Sequence, residues 1–177
     1  NTIETIISKI DHQQSIEEER LHLKKHLDLL KPQAQEQILR DFITDAPTSS
    51  LELFHKAFGQ CCEKFQLLLF CLEDTNDYSK LTTFKKYLDQ NWDLQGWSFS
   101  VILHDGVVLI FDADTQTKIK ETVKKVYKAA TRSLVTNIKS AISEQGSIEN
   151  LPEMYTKTRE AIILFSPFNS LLEDDIP

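Results

Sequence analysis

The sequence predicts an α+β domain, a four-stranded antiparallel sheet with helices, placed behind a long N-terminal helix. Three observations carry this expectation. Phe65–Leu72 is a continuous apolar run, short enough to be a strand buried on both faces. Alternating Phe99, Val101 and Leu103 lead into Asp105-Gly106 and the return run Val107–Phe111, the pattern of a hairpin. Residues 115–133 place Ile119, Val123, Val126, Tyr127 and Ala130 on one helical face.

The elements follow in order. Residues 1–31 are polar and helix-favouring, with Ile3, Ile7 and Ile10 at the spacing of a coiled-coil seam. Leu23, Leu27 and Leu30 form a second seam, and the interval from Ile10 to Ile16 breaks the register between them. This segment reads as a lever or weak parallel dimer seam, in which a small rotation would trade one seam for the other. Lys31-Pro32 predicts a kink or a helix restart, because proline suits a first helical turn. Residues 32–177 then form the second domain. Ala34, Ile38, Leu39, Phe42 and Ile43 make one apolar stripe, ended by Ala46-Pro47-Thr48. Ser49 and Glu52 have the spacing of a capping box, opening a short helix that stops at Gly59.

After the first strand, Glu73–Asp77 is a polar loop and Ser79–Gln90 a helix with Leu81, Phe84, Tyr87 and Leu88 inward. In the hairpin, Asp105-Gly106 predicts a type I′ turn with Gly106 at positive φ. A last strand is expected across Val135–Ile142 and a last helix from near Leu151-Pro152, followed by an acidic tail at Ser166–Pro177. The resulting βαββαβ order is that of ferredoxin-like folds. It puts two helices on one sheet face and leaves the other for the helices near 32–59 and 150–165.

Composition narrows the function. The 177 residues suffice for one domain with a proper core, and 41% hydrophobic with 27% charged residues is ordinary for a globular chain. A net charge of −7 argues against a nucleic-acid surface spread over the whole chain. Four glycines disfavour Gly-rich phosphate loops. No run approaches the ~20 apolar residues of a membrane span, and no secretory leader opens the chain. A cytoplasmic protein without a membrane partner is expected. Because the sequence opens at Asn1 rather than Met, it is expected to be a piece of something longer.

Several side chains invite a chemical reading. Cys61, Cys62 and Cys71 form no C-x-x-C pair and read as buried small hydrophobes in a reducing cytosol. Glu18, His22 and His26 share one helical line and could meet a metal, but exposed histidines on a charged helix explain them. His104 beside Asp105 could be a general base with an orienting carboxylate, or simply turn chemistry. Lys118, Lys120, Lys124, Lys125, Lys128 and Arg132 could face nucleic acid or anionic lipid; a solvated amphipathic face explains them and is the reading preferred here. Glu73, Asp74 and Asp77 end the first strand, where a metal would want carboxylates, but a polar loop there needs no ligand. No metal or cofactor is expected.

Two segments bring a family into view. Glu17–Phe42, EEERLHLKKHLDLLKPQAQEQILRDF, and LELFHKAFG at 51–59 resemble the link after the receiver in AraC-type (YesN-like) two-component response regulators. SIENLPEMYTKTREAI at 147–162 looks like the stretch after the last strand of their central domain, with Tyr155 and Ala161 near the family's Tyr and Ala positions. The resemblance implies a degenerate GGDEF-like, nucleotide-cyclase-like domain. Its signature hairpin motif falls on Leu103, His104, Asp105, Gly106 and Val107, where only Asp105 survives. Both glycines that would admit a nucleotide are replaced, and the strand-one metal position near Cys71–Glu73 offers only Glu73.

The expected function is therefore a non-catalytic signalling and dimerisation module of a bacterial transcriptional response regulator. It would be a homodimer, coupling a receiver to a helix-turn-helix domain of the same parent chain. DNA would be bound only through that missing C-terminal domain. One alternative is a small-molecule or nucleotide sensor, and a second is a residual nucleotide cyclase.

Overall fold

The computed structural model describes residues 1–47, 49–73, 77–92, 96–134 and 136–165. Helix α1 runs from Thr2 to Ile43 without interruption, with Pro32 inside it. The restart expected at Lys31-Pro32 therefore does not occur. Proline removes one backbone donor, but residues 21–34 are all exposed, so water can satisfy the carbonyl left over on the preceding turn. The chain divides into two compact units, 1–37 and 38–177.

The first unit is helix alone. Every residue from 1 to 34 is exposed, including Ile3 at 67% and Leu27 at 65%.

In the second unit the end of α1 buries Leu39, Phe42 and Ile43. Helix α2 (Leu51–Phe58) follows, capped by Ser50, whose Oγ accepts from Leu53 N at 3.1 Å. The capping residue is thus Ser50 rather than Ser49; its extended backbone aims the hydroxyl at the first free amides. Then come β1 (Phe65–Leu72), α3 (Tyr78–Asn91), β2 (Ser98–Leu103), β3 (Gly106–Asp112), a 3₁₀ turn at Ala113–Lys118 and α4 (Ile119–Leu134). The long helix expected from residue 115 therefore begins at Ile119, its lead being 3₁₀. Strand β4 is Ile138–Ile142, a 3₁₀ turn covers Ile148–Asn150, and α5 is Leu151–Phe165. Thr48, Asp74, Val135 and the acidic tail 166–177 lie outside the described residues, so the expectations placed on them stand apart from this structure.

The four strands form one antiparallel sheet in the order β2-β3-β1-β4. Its central strand explains the unbroken apolar run of the sequence. Leu68, Phe70 and Leu72 pack with Leu81, Phe84 and Leu88 of α3 and Val123, Val126 and Ala130 of α4. Leu67 and Leu69 point to the other face, among Leu39, Ile43, Phe54, Leu151 and Ile162. At period two, a strand covered by helices on both sides is apolar at nearly every position, and the one amide, Gln66, is buried with its Nε2 donating to Ser143 O at 3.0 Å. The helices near 32–59 and 150–165 do cover the second face, as the sequence led us to expect.

The hairpin is present but turns one residue early. Leu103 pairs with Gly106, so the two turn residues are His104 and Asp105, and His104 takes the positive φ of 55°. Gly106 lies in β3, outside the positive-φ region. Its lack of a side chain serves close approach instead: an added Cβ would stand 2.5 Å from the Phe70 carbonyl oxygen. The glycine expected at the turn is therefore a strand residue, required by the close packing of β3 on β1.

Candidate functional site

The hairpin tip is tied to α5 by a chain of polar contacts. Tyr155 and Arg159 stand four residues apart on α5, hence on one helical face. Arg159 donates from one terminal nitrogen to Tyr155 Oη at 2.9 Å, and its other terminal nitrogen lies 3.5 Å from an Asp105 carboxylate oxygen. Tyr155 Oη is 3.3 Å from His104 Nδ1, with the two rings nearly parallel. Since the tyrosine oxygen already accepts from Arg159, its own proton is free to be donated to the histidine. Burial raises the Tyr155 pKa, against the lowering effect of the Arg159 hydrogen bond.

Cys71 completes the cluster from below, paired in register with Gly106 on one side and Lys139 on the other. Burial, and then the Asp105 charge, push its thiol up to about 11, although Arg159 and Lys139 act in the opposite sense. It is therefore a protonated thiol at neutral pH and a poor nucleophile. The same holds for Cys62, pushed up to about 12 chiefly by burial, and Cys61 is raised for the same reason. All three cysteines are free.

His104 and Asp105 do not form the general-base pair considered from their adjacency. The histidine turns to Tyr155, whereas the carboxylate turns to the Arg159 guanidinium. At the end of β1, Glu73 accepts from Asn137 Nδ2 at 2.8 Å and pairs with Lys139 at 3.4 Å. Asp77 accepts from the Ser79 hydroxyl and from Ser79 N, the latter at 3.0 Å, and caps α3. These bonds hold both carboxylates below their usual range. Each is spent on local structure. Among the described residues, no three His, Cys, Asp or Glu side chains converge as a metal site. Glu18, His22 and His26 all lie exposed on α1.

The seam residues Ile3, Ile7, Ile10, Leu23, Leu27 and Leu30 are likewise exposed on α1. At 3.6 residues per turn the isoleucine and leucine seams point about 160° apart. Nearly half a turn, and not a small rotation, would exchange them.

Sequence reasoning placed His104, Asp105 and Gly106 together but missed their partners. The spacing of Tyr155 and Arg159 puts them on one helical face, but nothing local says that this face meets a hairpin fifty residues earlier. Arg40, whose Nε donates to Ile102 O at 2.8 Å, was missed for the same reason. Comparison with protein-family models, curated proteins and solved structures finds no match.

Proposed function

We propose that this chain is a non-catalytic signalling and dimerisation module of a bacterial, cytoplasmic transcriptional response regulator. The observation that carries the proposal is the exposure of Ile3, Ile6, Ile7, Ile10, Leu23, Leu27 and further large apolar side chains on one long helix. Isolated apolar residues on a surface need no explanation, but recurrence at three- and four-residue steps fits a partner helix. A second copy of the same helix meets that requirement, and a receiver preceding it could bias the pairing.

The strand order β2-β3-β1-β4 with alternating βαββαβ elements supports the finer reading of a ferredoxin-like, nucleotide-cyclase-like domain. The hairpin that would carry a cyclase signature is occupied by the His104–Tyr155 and Asp105–Arg159 contacts, which favours a structural role there. Sequence-specific DNA reading would belong to a helix-turn-helix part of the same parent chain.

Sedimentation over a range of concentrations tests dimerisation. Residues 1–177 should dimerise weakly, because stable coiled coils need about three or four unbroken heptads. A chain beginning at Pro32 should stay monomeric. Ile7→Asp and Leu27→Asp, made separately, should show which seam pairs. Equal association in the long and short chains would move the interface away from the helix, and no association in either would leave the helix a spacer.

A further inference from the structure

We propose that the solvent face of α4 docks on the phosphate backbone of duplex DNA, adding a sequence-independent contact to whatever a helix-turn-helix part reads. The sequence alone assigned DNA solely to that missing part, because the chain is acidic as a whole. The structure separates this face from that average. On α4 the apolar stripe Ile119, Val123, Val126 and Ala130 is buried against the sheet. Lys120, Lys125, Lys128 and Arg132 are exposed, and Glu121 is the only acid in the helix. The neighbouring helix α3, linked through Tyr87 Oη to Ser133 Oγ at 3.1 Å, adds exposed Lys86. Its Asp89 is already held by Lys85 at 3.0 Å and by the Ser100 hydroxyl, so it does little to offset the face.

The shape and chemistry of the face choose among polyanions. From Lys120 to Arg132 the helix lays down positive charge along about 18 Å, in a band about 140° wide that contains Glu121 and keeps a net positive charge toward a rod with closely spaced phosphates. No large apolar side chain of α4 is exposed, so the helix has no wedge to sink into a lipid surface. Nor does it expose an aromatic ring for stacking unpaired bases. Lysine ammonium groups are point charges that neutralise phosphates without the fork that reads a guanine edge, so the contact positions and does not specify. The choice of DNA among duplex polyanions rests on the transcription-regulator reading above.

The test is fluorescence anisotropy of a labelled random-sequence 20-base-pair DNA duplex titrated with the full chain. At 50 mM KCl we expect micromolar binding. For about four phosphate contacts it should weaken roughly a hundredfold by 200 mM. Lys120→Glu/Lys125→Glu/Lys128→Glu should lose at least about tenfold, as three of those contacts reverse sign. The control Lys24→Glu/Lys25→Glu/Lys31→Glu carries the same charge change on exposed positions of α1 and should lose far less. Circular dichroism of both variants checks that they fold, and the salt slope of the parent stands whether they do or not.

No binding at 50 mM KCl, a flat salt dependence, or equal losses in the two variants would overturn the proposal. So would tighter binding to duplex RNA or to phosphatidylserine vesicles. Sedimentation of the same samples keeps the two readings apart. A dimer indifferent to DNA removes this face alone; a monomer that binds DNA removes the dimer alone.

Discussion

Helix α1 before Ile38 and strand β1 are both rich in leucine or isoleucine, and they meet opposite fates. In β1, Leu67, Leu68, Leu69 and Phe70 are all at most 1% exposed, each held between helices on one sheet face or the other. In α1, no residue before Gln35 is even half-buried. The difference lies in pattern rather than in hydrophobicity. A strand apolar at every one of its eight positions but Gln66 satisfies both faces of a sheet at once. Apolar residues on α1 instead step around the helix, so that no single wide stripe forms for a core to cover. The same helix beyond Ile38 shows what a stripe does, since Leu39, Phe42 and Ile43 fall together and are buried.

The sharpest way to break this comparison is a matched pair of truncations. Leu69→Ala should cost roughly 2–5 kcal/mol, the lost transfer energy plus a cavity. Leu27→Ala, measured by urea unfolding at a concentration where the chain is monomeric, should stay within about 0.5 kcal/mol. A cost below about 1 kcal/mol at Leu69 would mean that β1 is not the centre of the core. A large cost at Leu27 would mean that the exposed helix is covered in solution.

Next in size is Gly106→Ala. The added methyl would meet the Phe70 carbonyl at 2.5 Å, which only a shift of β3 from β1 could relieve. A loss of about 1–3 kcal/mol is expected, the usual range for overpacking. Asp105→Gly, at the true turn, should be far milder. The opposite ranking would restore the turn explanation and remove the packing one.

The smallest effect is a pH dependence. The Cys71 thiol is raised in the folded state, so the unfolded chain loses that proton first as pH climbs. The contribution of the neutral thiol is therefore complete below about pH 9 and is lost as pH rises toward about 11. Urea midpoints of the parent and of Cys71→Ala should converge or cross over that interval, with no change in their separation between pH 6 and 8. A separation that varies in the lower range would point to another group.

These contrasts also show what local pattern can carry. The buried strand, the hairpin and α4 were legible because their periods are set within a dozen residues, and the capping serine was found to within one position. The turn was displaced because Asp-Gly is a strong local signal, whereas the register Leu103–Gly106 is fixed by cross-strand packing that the dipeptide does not encode. Pro32 does not restart the helix, because its cost inside a helix depends on whether water reaches the freed carbonyl, a tertiary fact. The Tyr155–His104 and Arg159–Asp105 contacts were not legible at all, since they join segments that only the folded sheet and α5 bring together. The basic residues of α4 were legible as composition, but that they form its solvent side became visible only once its apolar side was seen to be buried.

The position of β1 at the middle of the sheet has a consequence for synthesis. Leu68 needs both Leu109 and Ile142 as neighbours, so the central strand cannot be closed on both edges until the chain through β4 has left the ribosome. At typical elongation rates the interval between Leu68 and Ile142 is on the order of several seconds. Helix formation takes on the order of a microsecond. Until β3 emerges a strand of eight almost wholly apolar residues has both edges open, and until β4 emerges one edge, the condition under which nascent chains add to one another instead of to themselves.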